Sequence, residues 1–261
     1  MATTDPFPRP VSARARTRVR VEIALVLAIT VGQSALYAVL ALVRRLLEPV
    51  PLSEQSARLN TPLDAAVVWD IVYRLLDVAF DLALVALVLY LLWEPGRSAL
   101  RRLGLDFSGF GRDAVRGIAL VAVIGIPGLA LYAGGRALGV TVAVEASPGG
   151  LELWTVPLLV LSALRAGLVE EVIVLGYLGD RLSRLAWGPW RIIVGAAILR
   201  CAYHAYQGWG AIIGNVAMGL VFGWCYRRWG RLMPFVVAHT VIDVIAFVGY
   251  PLAATLLPEL F

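Results

Sequence analysis

The sequence predicts an all-α fold: a polytopic membrane helix bundle of about seven (six to eight) transmembrane helices. Three observations predict it. Of the 261 residues, 60% are apolar and 16% charged, against about 45–50% and about 25% in soluble domains. Apolar runs near the length that crosses a bilayer recur from Val21 to the C-terminus. All 23 basic residues are Arg, and most sit between or beside those runs. Together these exclude most soluble enzyme folds, a secreted disulfide scaffold and a disordered chain. They leave room for a single membrane domain with short loops.

The first run, Val21–Val43, follows Arg9, Arg14, Arg16, Arg18 and Arg20. A signal peptide begins this way, but its apolar core is only about 7–15 residues, so this run is read as a membrane helix. The second, Ala65–Trp93, is long enough to include an interfacial turn. The third, Val115–Leu138, contains Pro127, which could break it. Trp154–Leu178 is the fourth. Ile192–Tyr206 and Ala211–Tyr226 are short and joined by the uncharged turn Gln207–Gly210. Leu232–Leu256 is the last. Trp93, Trp154, Trp187, Trp190, Trp209 and Trp229 fall near span ends, where an aromatic belt is expected.

Arginine placement orients the chain. The N-terminal tail and the loops after the second, fourth and sixth spans are Arg-rich; the opposite loops offset Arg44, Arg45 and Arg58 with Glu48, Glu54 and Asp64. The N-terminus is therefore expected in the cytoplasm. Residues 1–20 then form a cytoplasmic tail, 21–256 the membrane domain and 257–261 a C-terminal tail. No basic helix or aromatic-basic motif suggests nucleic acid, so membrane lipid is the expected surroundings. Cys201 and Cys225 have no metal or redox spacing and read as small buried residues.

Ionisable residues inside spans cost roughly 2.5–3.5 kcal/mol each on insertion scales, and those that persist mark sites. Glu170-Glu171 lie in the fourth span, Arg200 and His204 in the fifth, and His239 and Asp243 in the seventh. Those two histidines are the chain's only ones. Residues four apart share a helix face, about 40° apart, whereas adjacent residues diverge by about 100°. One glutamate is thus expected at the chemistry and the other against a neighbouring helix. At about 1.5 Å rise per residue, Glu170, His204 and His239 lie about 16, 20 and 12 Å above Arg181, Arg191 and Arg231. They can meet near mid-bilayer, where a carboxylate and two imidazoles can activate water or line a proton or ion path. Asp70, Arg74, Asp77 and Asp81 form a second stripe, read as an interior set in which Arg74 pairs with Asp70 or Asp77. Its sharper reading is a wall of a substrate groove or an ion path.

The run Glu170-Glu171-Val-Ile-Val-Leu175, then His204, then His239-Thr-Val-Ile-Asp243, resembles the EExxxR, FxxxH and HxxxN/D motifs of the CPBP family. These are the type II CAAX prenyl endopeptidase and bacteriocin-processing (Abi) intramembrane proteases. The resemblance covers the core at 154–247, and Pro234-Phe235 adds to it. It implies an intramembrane endopeptidase, labelled a metalloendopeptidase, with Glu170 as general base and His204 as its partner. His239 and Asp243 would polarise the carbonyl. It leaves open whether a divalent metal such as zinc takes part; Glu170, His204 and His239 would then be the ligands. Substrates would be membrane-associated peptides or proteins, such as a lipidated C-terminal tail or a leader peptide. All-Arg usage hints at a GC-rich bacterial genome and a plasma-membrane location, which disfavours prenylated substrates.

Three positions depart from the family pattern. The last motif position is Asp243, an allowed variant that cannot donate to an oxyanion when ionised, so either burial protonates it or it orients His239 and the imidazole does the polarising. Leu175 stands for the family's Arg and Arg200 for its Phe. The lost charge is expected to return from the next helix, with Arg200 in salt-bridge reach of Glu171 or Glu170 and Arg165 as its rival. Two alternatives stand beside the protease: a decayed membrane protein that binds peptide without cutting it, and a small-solute or ion transporter.

Overall fold

The computed structural model describes residues 12–148 and 150–252. Arg9 and the rest of residues 1–11, and the stretch 253–261 with the C-terminal tail, lie outside the described residues. The chain forms an all-α membrane bundle.

The expected first span is two helices, α1 (Ala13–Ala28) and α2 (Val31–Leu47), bent by 55°. The helix starts earlier than its apolar run because Arg16, Arg18 and Arg20 are compatible with helix at a polar boundary. It breaks at Ile29–Thr30, where the Thr30 hydroxyl donates back to the Val26 carbonyl at 2.6 Å, a local bond that competes with the helix ladder.

Helix α3 (Val67–Leu91) carries the acidic stripe. Buried Arg74 donates to Asp70 at 2.9 Å and to the Asn60 carbonyl at 3.0 Å, tying the preceding loop to the helix. Short α4 (Ala99–Leu103) ends at Gly104, φ 63°, where an added Cβ would lie 2.5 Å from the Arg231 Cα. Helix α5 (Phe110–Ala137) runs as one helix through Pro127, where the sequence allowed a break.

Strands β1 (Ser56–Arg58) and β2 (Ala143–Glu145) were not expected. They pair in parallel because two long loops reach the same end of the bundle. Arg136 donates to the Ser53 carbonyl there at 2.7 Å, and the Gly210 amide donates to the Thr141 hydroxyl at 3.0 Å.

Helix α6 (Thr155–Glu170) passes directly into a wide π-helical stretch, Glu171–Tyr177, and then α7 (Leu178–Arg184). The helix therefore outlasts the expected end at Leu178. Its last turn tolerates buried Asp180 and Arg181 because each has partners. Arg181 donates to Glu22 at 2.6 Å and to Asp180 at 2.7 Å, and Arg102 pairs with Asp180 at 3.1 Å.

Helices α8 (Pro189–Tyr203) and α9 (Trp209–Trp229) form an antiparallel hairpin. Helix α10 (Met233–Val244) packs on α5 and α6 and continues in a second π-helical stretch, Ile245–Gly249. Gly117 and Gly167 permit that packing: a Cβ would lie 2.7 Å from Val237 and 2.7 Å from the Thr240 hydroxyl.

Among the described residues, three segments are long and apolar enough to cross a membrane: Ala99–Ala137, Trp209–Trp229 and Met233–Leu252. The bent α1–α2 pair makes up to four. Helices α3 and α6 with its extension hold their charged residues within their apolar stretches, which keeps them outside that set.

Candidate functional site

The polar residues of the fourth, fifth and seventh expected spans converge where α6, α8 and α10 meet. Glu170 closes α6 and Glu171 opens the π-helical stretch. Such wide turns cost regular hydrogen bonding and recur at functional sites.

Glu171 and Arg200 are both fully buried, and the Arg200 Nη2 donates to Glu171 Oε1 at 2.6 Å. The Arg200 Nη1 lies 3.4 Å from Glu170 Oε2. One guanidinium thus bridges both carboxylates, while its Cζ lies 5.6 Å from the Phe222 ring centroid. Leu175 is buried in the apolar core instead. Arg165, the rival cation, pairs with Asp81 at 2.8 Å.

Around Glu170 Oε2 gather Tyr203, His204 and His239. The buried Tyr203 hydroxyl donates to it at 2.6 Å. The Nε2 atoms of His204 and His239 lie 3.6 and 3.8 Å away. His239 is oriented from its other side, its Nδ1 donating to Glu171 Oε1 at 2.7 Å. Asp243, one turn on, approaches His239 Nε2 to 3.6 Å. All six residues singled out from the sequence, Glu170, Glu171, Arg200, His204, His239 and Asp243, are brought together.

The two glutamates lie closer in their partners than the divergence of about 100° between adjacent helical residues suggests. His239 and Arg200 each face both carboxylates. The helix widens at Glu171, and a guanidinium and an imidazole each present nitrogens on two sides. The glutamates differ in exposure instead: Glu171 is sealed, whereas 15% of the Glu170 side chain is accessible. His204 caps α8, which ends at Tyr203, and it faces Glu170 from the same side as Arg200. Tyr203 was missed. Its signal was its place beside His204 and one turn after Arg200.

Glu170, Tyr203 and His204 face a cavity of about 480 Å³. Its opposite walls are Thr30, Gln33 and Ser34 at the α1–α2 break, and Asp81 with Arg165. The acidic stripe on α3 therefore divides. Asp70 and Arg74 pair away from the cavity, Asp81 lines it, and Asp77 is exposed on the helix surface. Cys225 is buried, but Cys201 is only half-buried.

No group of three His, Cys, Asp or Glu residues among the described residues is arranged to hold a metal ion. Glu170, His204 and His239 share Oε2 as their meeting point, and that oxygen already accepts from Tyr203 and faces a guanidinium. The set does not fit a divalent ion such as zinc.

Residues 152–245 match the model of the type II CAAX prenyl endopeptidase family, Rce1-like. No curated protein and no solved structure matches the chain. The matched segment starts just before α6 and ends just after α10, so it holds every residue of the cluster. It supports an intramembrane endopeptidase acting on a membrane-associated protein.

Proposed function

We propose that the protein hydrolyses a peptide bond of a membrane-associated protein or peptide with water activated by Glu170. The observation that carries this reading is the approach of one carboxylate oxygen, Glu170 Oε2, to both imidazoles at 3.6 and 3.8 Å. A general base must lie within hydrogen-bond reach of the proton it takes, directly or through one water. A water between Glu170 and His204 meets that condition, and the cavity supplies it with space.

The steps follow from the donors and acceptors. Glu170 takes a proton from water as the oxygen attacks the scissile carbonyl carbon. The carbonyl oxygen gains charge beside His239, whose Nδ1–H is held by Glu171 so that a protonated ring aims Nε2–H at the oxyanion. Glu170 then returns the proton to the leaving nitrogen as the C–N bond breaks. Asp243 has no hydrogen to donate when ionised and so does not serve the oxyanion itself; its carboxylate, 3.6 Å from His239 Nε2, favours the protonated ring by its charge. Tyr203 and Arg200 hold Glu170 in place.

The Arg-rich ends support a cytoplasmic N-terminus, and the use of Arg alone as the basic residue supports a bacterial plasma membrane. The substrate reading stays with a lipidated tail or a leader peptide. Replacement Glu170→Gln tests the mechanism, since it removes the base and keeps the volume. Cleavage of membrane-associated peptides should disappear while the thermal unfolding profile is retained. Undiminished cleavage would remove Glu170 from the chemistry.

A further inference from the structure

The cavity beside Glu170 continues beyond the His204 imidazole. A shallower groove of about 300 Å³ adjoins it along α2, and the two share Ser34, Tyr203 and Tyr206. Ala38 and Ala41 leave the groove its depth, and Arg45 stands at its far end.

Arg45 is half-buried and firmly held. Its guanidinium donates to Gln55 Oε1 at 3.3 Å and to the Ser56 carbonyl at 2.9 Å. Gln55 answers by donating to the carbonyls of Arg45 at 3.0 Å and Val50 at 2.8 Å. All of these acceptors are neutral. Among the described residues no carboxylate lies within ion-pairing distance of Arg45, although neighbouring Arg44 pairs with Glu48 at 3.6 Å. A guanidinium fixed by neutral acceptors keeps its whole charge and a set direction, which is the arrangement that recognises a carboxylate from elsewhere.

We propose that Arg45 is a specificity-determining residue that binds a carboxylate of the peptide substrate, laid extended along the α2 groove. This rests on the endopeptidase reading. From Ser34 to Arg45 is eleven helical residues, about 16 Å. An extended chain at about 3.3 Å per residue covers that in about five residues. The carboxylate is therefore the substrate's own C-terminus, or an Asp or Glu side chain, about five residues beyond the part of the substrate that lies beside Ser34. The Tyr and Ala walls between take uncharged residues.

The full-length Glu170→Gln chain in lipid nanodiscs provides a binding assay that needs no turnover. The probes are dye-labelled apolar decapeptides read by fluorescence anisotropy: a free acid, its C-terminal amide, and amides with one Glu stepped along the chain. The free acid, or one Glu position, should bind about tenfold tighter than the neutral amide, as a charge-assisted hydrogen bond allows. Which of them gains identifies the source of the carboxylate. Adding Arg45→Gln should erase the difference, and Arg45→Glu should favour a Lys-bearing peptide. Replacement Gln55→Ala loosens the same loop and keeps the charge, so it should preserve the discrimination. Equal binding of all probes, no binding of any, or discrimination that survives Arg45→Gln would overturn the proposal. So would equal loss in Gln55→Ala and Arg45→Gln, which would make Arg45 a loop tie. Failure of the parent chain to cleave any peptide would instead count against the endopeptidase reading.

Discussion

Arg200 and Glu171 meet at 2.6 Å with neither side chain exposed to solvent or lipid. Two charges sealed in this way are each costly alone, so the pair matters most when one member is removed. Replacement Arg200→Leu leaves Glu171 and its neighbour without the guanidinium that bridges them. It should destabilise the protein by about 3–5 kcal/mol, the range for breaking a buried pair, read as a fall in the unfolding midpoint in detergent.

Leu175 gives that argument its control. It stands where the family motif has Arg, four residues after Glu171 and buried in the apolar core. Replacement Leu175→Arg alone should destabilise by overpacking and by adding a buried charge. Combined with Arg200→Phe it should recover at least half of the loss, because the cation is then supplied from within the same helix. Purely additive losses would show that the two positions do not exchange one charge.

Tyr203 reaches Glu170 at 2.6 Å and is buried, so its hydroxyl acts on the carboxylate's position and not on bulk solvent. Replacement Tyr203→Phe keeps the ring and removes the donor. A hydrogen bond to a charged group is worth about 1.5–3 kcal/mol, so the turnover rate should fall by tenfold or more. KM and thermal stability should move little. A change confined to KM would place Tyr203 in substrate binding instead.

Much of this site was legible because ionisable residues in apolar runs are so few. Glu170, Glu171, Arg200, His204, His239 and Asp243 stood out by cost alone, and the four-residue spacings put His239 and Asp243 on one face. Tyr203 did not stand out, since an aromatic residue in a span is unremarkable until its hydroxyl has a partner. The π-helical stretch Glu171–Tyr177 has an ordinary apolar pattern, and widening of a helix is a response to packing that periodicity does not carry. The bend at Thr30 was hidden because Gly32, where an added Cβ would lie 2.6 Å from the Leu27 carbonyl oxygen, reads as one more small residue in an apolar run. The last turn with Asp180 and Arg181 read as loop because its partners, Glu22 and Arg102, are remote in sequence.

Glu94 offers a pH test outside the membrane. Its hydrogen bond from Arg184, reinforced by Arg102, holds its carboxyl below the ordinary glutamate range. A depressed carboxyl stabilises the fold above its unfolded pKa and loses that contribution as pH falls through the folded value. Replacement Glu94→Gln should therefore lower the unfolding midpoint slightly at pH 7. The gap from the parent should close as pH falls below about 4. Because the pair is substantially exposed, the effect should also shrink in high salt. A gap that persists in acid would assign the loss to packing.

Helix α9 contains a matched pair of glycines that separates close packing from mere helix propensity. At Gly219 an added Cβ would lie 2.7 Å from the Cα of Ala197 on α8, so the two helix backbones must part. At Gly214 the nearest atom is the Leu131 Cδ2 at 3.6 Å, an ordinary contact. Replacement Gly214→Ala should be neutral or stabilise by up to about 1 kcal/mol, as Ala does for Gly inside a helix. Replacement Gly219→Ala should cost about 1–3 kcal/mol through overpacking. The displaced helix carries Arg200 and Tyr203 and leads into His204, so Gly219→Ala should also reduce cleavage even where the protein remains folded. Unfolding midpoints and turnover rates for the two variants, measured side by side, check both halves of the expectation. Equal behaviour of the two would mean that the closeness of α8 to α9 does not position the site.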